Sequence, residues 1–125
     1  MHNFEYRQGE LYCEQVAVSQ IAKQVGTPCY IYSYATLVRH IRAYDSAFQN
    51  VPHLIAFAMK ANSSRAILQL VAEQGMGIDA SSLNEVRRAR LAGIPADRIM
   101  LTSQELPEGQ DRSDLEALLV EGMTY

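Results

Sequence analysis

Residues 53–63 read His53-Leu54-Ile55-Ala56-Phe57-Ala58-Met59-Lys60-Ala61-Asn62-Ser63. The unbroken apolar stretch from Leu54 to Met59 is the pattern of a strand covered on both faces, as in a parallel sheet. Lys60 closes the run. Asn62 or Ser63 then offers a cap to a helix that turns Ile67, Leu70 and Val71 inward, stopped by Gly75 and Gly77. A strand, a polar corner and a helix in that order make one βα unit.

The same alternation extends in both directions. Upstream, Val18, Ile21, Ala22 and Val25 lie at helical spacing and end at Gly26 and Pro28. Cys29-Tyr30-Ile31-Tyr32 is a β-prone run, and Ser33 caps a helix with Leu37, Ile41, Tyr44 and Phe48 on its inner face. Downstream, Ile78–Ala80 reads as a strand and Ser82-Leu83-Asn84-Glu85 as a capping box. That helix ends near Gly93-Ile94-Pro95, and Ile99-Met100-Leu101 reads as another strand. A second capping box, Ser113-Asp114-Leu115-Glu116, opens a helix with Leu115, Leu118 and Leu119 inward that ends at Gly122. Strands therefore start near residues 29, 54, 78 and 99, the series of a parallel α/β sheet. An eight-unit barrel needs about 250 residues, so a barrel of this kind is about half present in 125. A further strand is expected to begin at Gly122–Tyr125, and the chain reads as an incomplete piece of a larger enzyme.

The composition narrows the function. Of 125 residues, 48% are hydrophobic and 20% charged, with a net charge of −3, which fits a soluble globular domain and excludes disorder. The longest apolar run is far too short to span a bilayer, and no basic segment leads into an apolar one at the start, which gives the expectation of a cytoplasmic protein. A mildly acidic chain has no bulk electrostatic reason to bind nucleic acid or a membrane surface. Cys13 and Cys29 lack metal-ligand spacing and read as buried reduced thiols. No metal site is expected: His40 stands alone, and His53 reads as structural.

Lys60 is the first candidate for chemistry. Ligands gather at the carboxyl edge of parallel strands, and burial there favours the neutral amine, a nucleophile able to form an imine. A lysine that merely reaches out to water fits the same position. Asp79 ends the next strand, either as an anion beside that amine or as a loop cap. Ser82 and Glu85 are explained by the capping box alone. Arg87, Arg88 and Arg90 read as a solvated helix face, and Tyr30, Tyr32, Tyr34 and Tyr44 as core and interface aromatics.

The segment Ala56-Phe57-Ala58-Met59-Lys60-Ala61-Asn62-Ser63 resembles the lysine segment of the fold-type III pyridoxal-phosphate-dependent decarboxylases. Gly9–Tyr12, Gly26–Ser33, Gly75-Met76-Gly77-Ile78-Asp79 and Ala92-Gly93-Ile94-Pro95 follow that family's order, so the resemblance covers roughly residues 6–102. It implies an α/β fold that is part of a (β/α)8 TIM barrel of the alanine racemase-like, pyridoxal-phosphate-binding type. Residues 1–26 would form a lead-in and residues 27–125 the βα units of the cofactor-binding barrel, with a C-terminal β-domain lying outside the chain. The resemblance further implies pyridoxal 5'-phosphate as cofactor, held by Lys60 as an imine, with Asp79, Ser82 and Glu85 also cofactor-binding. The family's Ser-Gly-Gly-Glu stretch is altered here, because Leu83 and Asn84 replace the two glycines and put side chains where backbone would approach the cofactor. The activity implied is decarboxylation of an amino acid, closest to the branch that acts on meso-diaminopimelate in lysine biosynthesis, in a homodimer. By itself the chain is expected to be inactive, because the phosphate loop and the partner's residues lie outside it. Ornithine- or arginine-type decarboxylation, or a non-catalytic homologue that pairs with a full-length enzyme, are the alternatives.

Overall fold

Near the start of the chain, Gln8 and Gly9 both take positive φ, +50° and +84°, the sign pattern of a type I′ turn. They join β1 (Phe4–Arg7) to β2 (Glu10–Cys13), an antiparallel pair in which Arg7 faces Glu10. A second tight bend at Glu14 (φ +56°) leads into β3 (Val16–Ala17), which pairs antiparallel with β2. The sequence pattern gave no sign of this three-stranded sheet. Helix α1 (Val18–Val25) follows and stops at Gly26, as expected. Its apolar stripe is only partly covered, for Val25 is exposed.

The computed structural model describes residues 2–125 and divides them into two compact units, one ending at Ala47 and the other spanning Phe48–Tyr125. The first unit closes with α2 (Tyr34–Ala47). Ser33 caps it as expected, its Oγ accepting from the Thr36 amide at 3.0 Å. The Glu14 carboxylate adds to this cap from the β2–β3 bend, accepting from the Ser33 hydroxyl at 2.7 Å and the Ala35 amide at 2.8 Å. Those two hydrogen bonds hold the Glu14 carboxyl below its ordinary value.

Four expectations for this unit fail. Cys29–Tyr32 forms no strand, Tyr30 is 94% exposed, and Cys29 is exposed rather than buried. A β-prone sequence becomes a strand through cross-strand packing, and these side chains have none among the described residues. On α2 the buried residue is Val38, while Tyr44 is 65% exposed. Tyr32 and Tyr34 are likewise exposed, so these tyrosines are not core residues.

The second unit is built on three parallel strands in sequential order, β4 (Ala56–Ala58), β5 (Gly77–Ala80) and β6 (Ile99–Leu101). Ala58 stands level with Asp79, and Asp79 with Met100. Thr124 extends the ladder beyond β6: its amide donates to the Ile99 carbonyl at 3.0 Å, and its carbonyl accepts from the Leu101 amide at 2.9 Å. A single bridge at Thr124 thus stands where a further strand was expected to begin. Strand β4 is shorter than the apolar run that announced it, and it is half-buried rather than covered on both faces.

Helices α3 (Arg65–Glu73), α4 (Leu83–Leu91) and α5 (Gly109–Val120) connect and follow the strands. All three end in the same way. Gly75, Gly93 and Gly122 take positive φ, and the next residue's amide returns to the carbonyl five positions back: Met76 to Val71, Ile94 to Ala89, Met123 to Leu118. This is the Schellman arrangement, which needs a left-handed residue that only glycine adopts without cost. Met76, Ile94 and Met123 are all buried, so each motif pins the chain to the core as it leaves its helix. The core itself gathers Met59, Leu68, Val71, Ile78, Val86 and Ile99, each almost fully buried.

Two helix expectations shift. Helix α5 begins at Gly109, ahead of the capping box read at Ser113–Glu116, and Glu116 instead pairs with Arg112 one turn away at 3.0 Å. On α3 the buried set is Leu68, Leu70 and Val71, with Ile67 half-covered. No helix among the described residues is long and apolar enough to cross a membrane.

Candidate active-site cleft

The carboxyl ends of β4, β5 and β6 open onto one cleft of about 580 Å³, lined by Lys60, Asp79, Ser81, Ser82, Thr102, Ser103, Gln104 and Glu105. Three of the four residues singled out from sequence meet here: Lys60, Asp79 and Ser82. Each arrives by a separate route.

Lys60 sits in a single 3₁₀ turn, Met59–Ala61, directly after β4. Met59 is fully buried and anchors this turn, while Lys60 is exposed. The burial expected of Lys60 is not found, because only β5 flanks its strand in this unit and the cleft is open. Beyond the turn, Asn62 accepts from the Ser64 amide at 2.9 Å, and this bend starts α3.

Asp79 is half-buried near the end of β5, and its Oδ1 accepts the Thr102 hydroxyl at 2.8 Å. Thr102 follows β6 directly. Its amide continues the strand ladder by donating to the Ala80 carbonyl at 2.8 Å. Sequence reading passed over Thr102. The one available signal was a hydroxyl residue directly after a strand, at the edge where ligands gather.

Ser82 caps α4, its Oγ accepting from the Glu85 amide at 3.3 Å. The Glu85 carboxylate turns back to the Ser81 amide at 2.7 Å, one residue short of the usual reciprocal partner. Glu85 thus holds the corner from behind and does not line the cleft. Leu83 is buried, whereas Asn84 is exposed and bonds Arg87.

The arginines of α4 are more than a solvated face. Arg87 pairs with Asp111 at 2.6 Å and with Asp114, and Arg90 with Glu121 at 2.7 Å, so both tie α4 to α5 and its end. Arg88 donates to the Ser63 carbonyl at 2.8 Å. The bonds to Asp111 and Asp114 hold the Arg87 guanidinium above its ordinary range, and the bonds from Arg87 and Gln110 hold the Asp114 carboxyl below its own. His53 bonds the Val51 carbonyl at 2.9 Å beside the Phe48 ring. No metal-holding cluster of His, Cys, Asp and Glu occurs among the described residues.

A family model described as pyridoxal-dependent decarboxylase, pyridoxal binding domain, matches residues 34–125. Diaminopimelate decarboxylase of Haemophilus influenzae is 45% identical over 102 residues, covering 82% of this chain and 25% of the relative. The Pseudomonas fluorescens diaminopimelate decarboxylase is 40% identical over 123 residues, covering 98% and 29%. Among solved structures, a protein of Aquifex aeolicus superposes with a TM-score of 0.80 at 33% identity, over 97% of this chain and 28% of its own. Diaminopimelate decarboxylase from Helicobacter pylori, complexed with L-lysine, gives 0.69 at 29% identity, over 86% and 26%. The chain spans about a quarter of the length of the curated relatives it matches.

Proposed function

Since the chain belongs to the pyridoxal-dependent decarboxylases through their pyridoxal-binding domain, we propose that it contributes the lysine corner of a pyridoxal-phosphate site for amino-acid decarboxylation. The substrate proposed is meso-diaminopimelate, after the names of the relatives. The observation that carries the reading is the convergence of Lys60, Asp79 and Ser82 on one cleft at the carboxyl edge of a parallel sheet. The sequential strand order, continued by Thr124 outside β6, supports part of a barrel over a sheet whose order reverses.

The residues present fit one end of the cofactor. The cleft offers a primary amine at Lys60, a carboxylate at Asp79 and several hydroxyls, which suits an aldehyde carbon and polar ring substituents. It contains no arginine and no glycine-rich turn among its lining residues, so the phosphate is held elsewhere in the proposed site. Lys60 would hold the cofactor through Nζ. Asp79 lies on the neighbouring strand, where its carboxylate would help to orient the amine and the bound ring, and Ser81 and Ser82 bring hydroxyls to the corner between β5 and α4. When bound, the cofactor supplies an electron sink for the pair left behind as CO₂ departs. The proposed assembly is a homodimer, and the proposed location is the cytoplasm.

Replacement of the lysine tests this directly. In the protein with added pyridoxal phosphate, Lys60→Ala is expected to abolish the imine absorbance. Full imine absorbance in that variant would remove the assignment.

A further inference from the structure

We infer that Thr102 is a positioning residue for the same site, fixing one oxygen of Asp79 so that the carboxylate is held in a single orientation at the cleft. This rests on the proposed role of the Lys60 cleft. Thr102 has its backbone locked before its side chain acts, because its amide is committed to the Ala80 carbonyl at 2.8 Å. That bond sets where the hydroxyl stands. From there Oγ1 reaches Asp79 Oδ1 at 2.8 Å and the Ala80 carbonyl at 3.2 Å. A hydroxyl has one proton, and the shorter contact to an ionised acceptor takes it. Both residues line the cleft that Lys60 lines.

The consequence is a division of labour on Asp79. One oxygen is engaged from β6, and no other partner for the carboxylate occurs among the described residues. Without the hydroxyl, the carboxylate of a half-buried, open-edged aspartate turns freely about its side-chain torsions, and its charge is no longer placed for an amine or a bound ring. Thr102 touches neither amine nor substrate. It acts through Asp79.

The test uses Thr102→Val, which keeps the shape and removes the hydroxyl, and Thr102→Ser, which restores it. Affinity for pyridoxal phosphate is read by absorbance titration, with the melting midpoint followed in parallel. Thr102→Val is expected to weaken cofactor binding about 10-fold, the loss typical of a hydrogen bond to a charged group, and Thr102→Ser to recover most of it. In an Asp79→Ala background the valine change is expected to add nothing. Undiminished affinity in Thr102→Val, or a full additional loss in the Asp79→Ala background, would overturn the inference. If the valine variant does not fold, Thr102→Ala carries the same comparison. Failure of the site itself is distinguishable, because then Lys60→Ala would bind the cofactor as the unchanged protein does.

Discussion

Asp79 and Thr102 are 23 residues apart in sequence, yet the hydroxyl of one lies 2.8 Å from the carboxylate of the other, across neighbouring parallel strands. The pairing is a product of register. Because Asp79 stands level with Met100, the residue two positions beyond Met100 projects its hydroxyl over the end of β5. A one-residue slip would turn every side chain of β6 to the other face and break the contact.

Gly77 makes that register possible. A Cβ built on it would lie 2.5 Å from the Arg98 carbonyl oxygen and 3.1 Å from a Leu54 methyl. The backbone oxygen has no room to retreat, so Gly77→Ala is expected to destabilise the fold by ~1–3 kcal/mol. Thermal or denaturant melting measures this, and an unchanged midpoint would show that β5 and β6 are farther apart than described.

Glu14 gives the first unit a dependence on pH. Its carboxyl lies below its ordinary value near 4.5, chiefly because it accepts from the Ser33 hydroxyl and then from the Ala35 amide. A lowered folded value means that the stabilisation is complete above the unfolded value and is lost as pH falls through the folded one. Comparing the melting midpoint with that of Glu14→Gln should therefore show a gap at neutral pH that closes in acid. A gap that stays constant down to strongly acid pH would refute the assignment.

Arg87 joins α4 to α5 through two carboxylates, with Asn84 as a third acceptor. A planar guanidinium serves several acceptors at fixed angles, and an ammonium does not. Arg87→Lys is expected to lower the melting midpoint modestly at low salt and to do so less at high salt, since the pairs are exposed and screened. A loss independent of salt would point to packing of the arginine stem instead.

The βαβα series of the second unit was legible because its signals are local. Apolar runs mark the strands, and Gly75, Gly93 and Gly122 stop the helices at positions where their positive φ is needed. The capping box at Ser82–Glu85 was equally visible. The box at Ser113–Glu116 misled because Asp114 and Glu116 are engaged by Arg87 and Arg112, which leaves the helix free to begin earlier. Cys29–Tyr32 misled for a different reason: strand propensity has effect only where a neighbour covers the side chains. Of the cleft, Lys60 and Asp79 follow from their places at strand ends, and Ser82 from its capping box and the family resemblance. Thr102 does not, because its partner is chosen by strand register, which no spacing along one chain displays.

The most direct measurement is borohydride reduction of the protein with pyridoxal phosphate, followed by peptide mapping. The chain has two lysines, Lys23 and Lys60, so each sample contains its own control. A reduced pyridoxyl adduct on Lys60, with Lys23 unmodified, is the expected result. Equal labelling of both lysines, or labelling of Lys23 alone, would contradict the assignment of Lys60 to the cofactor.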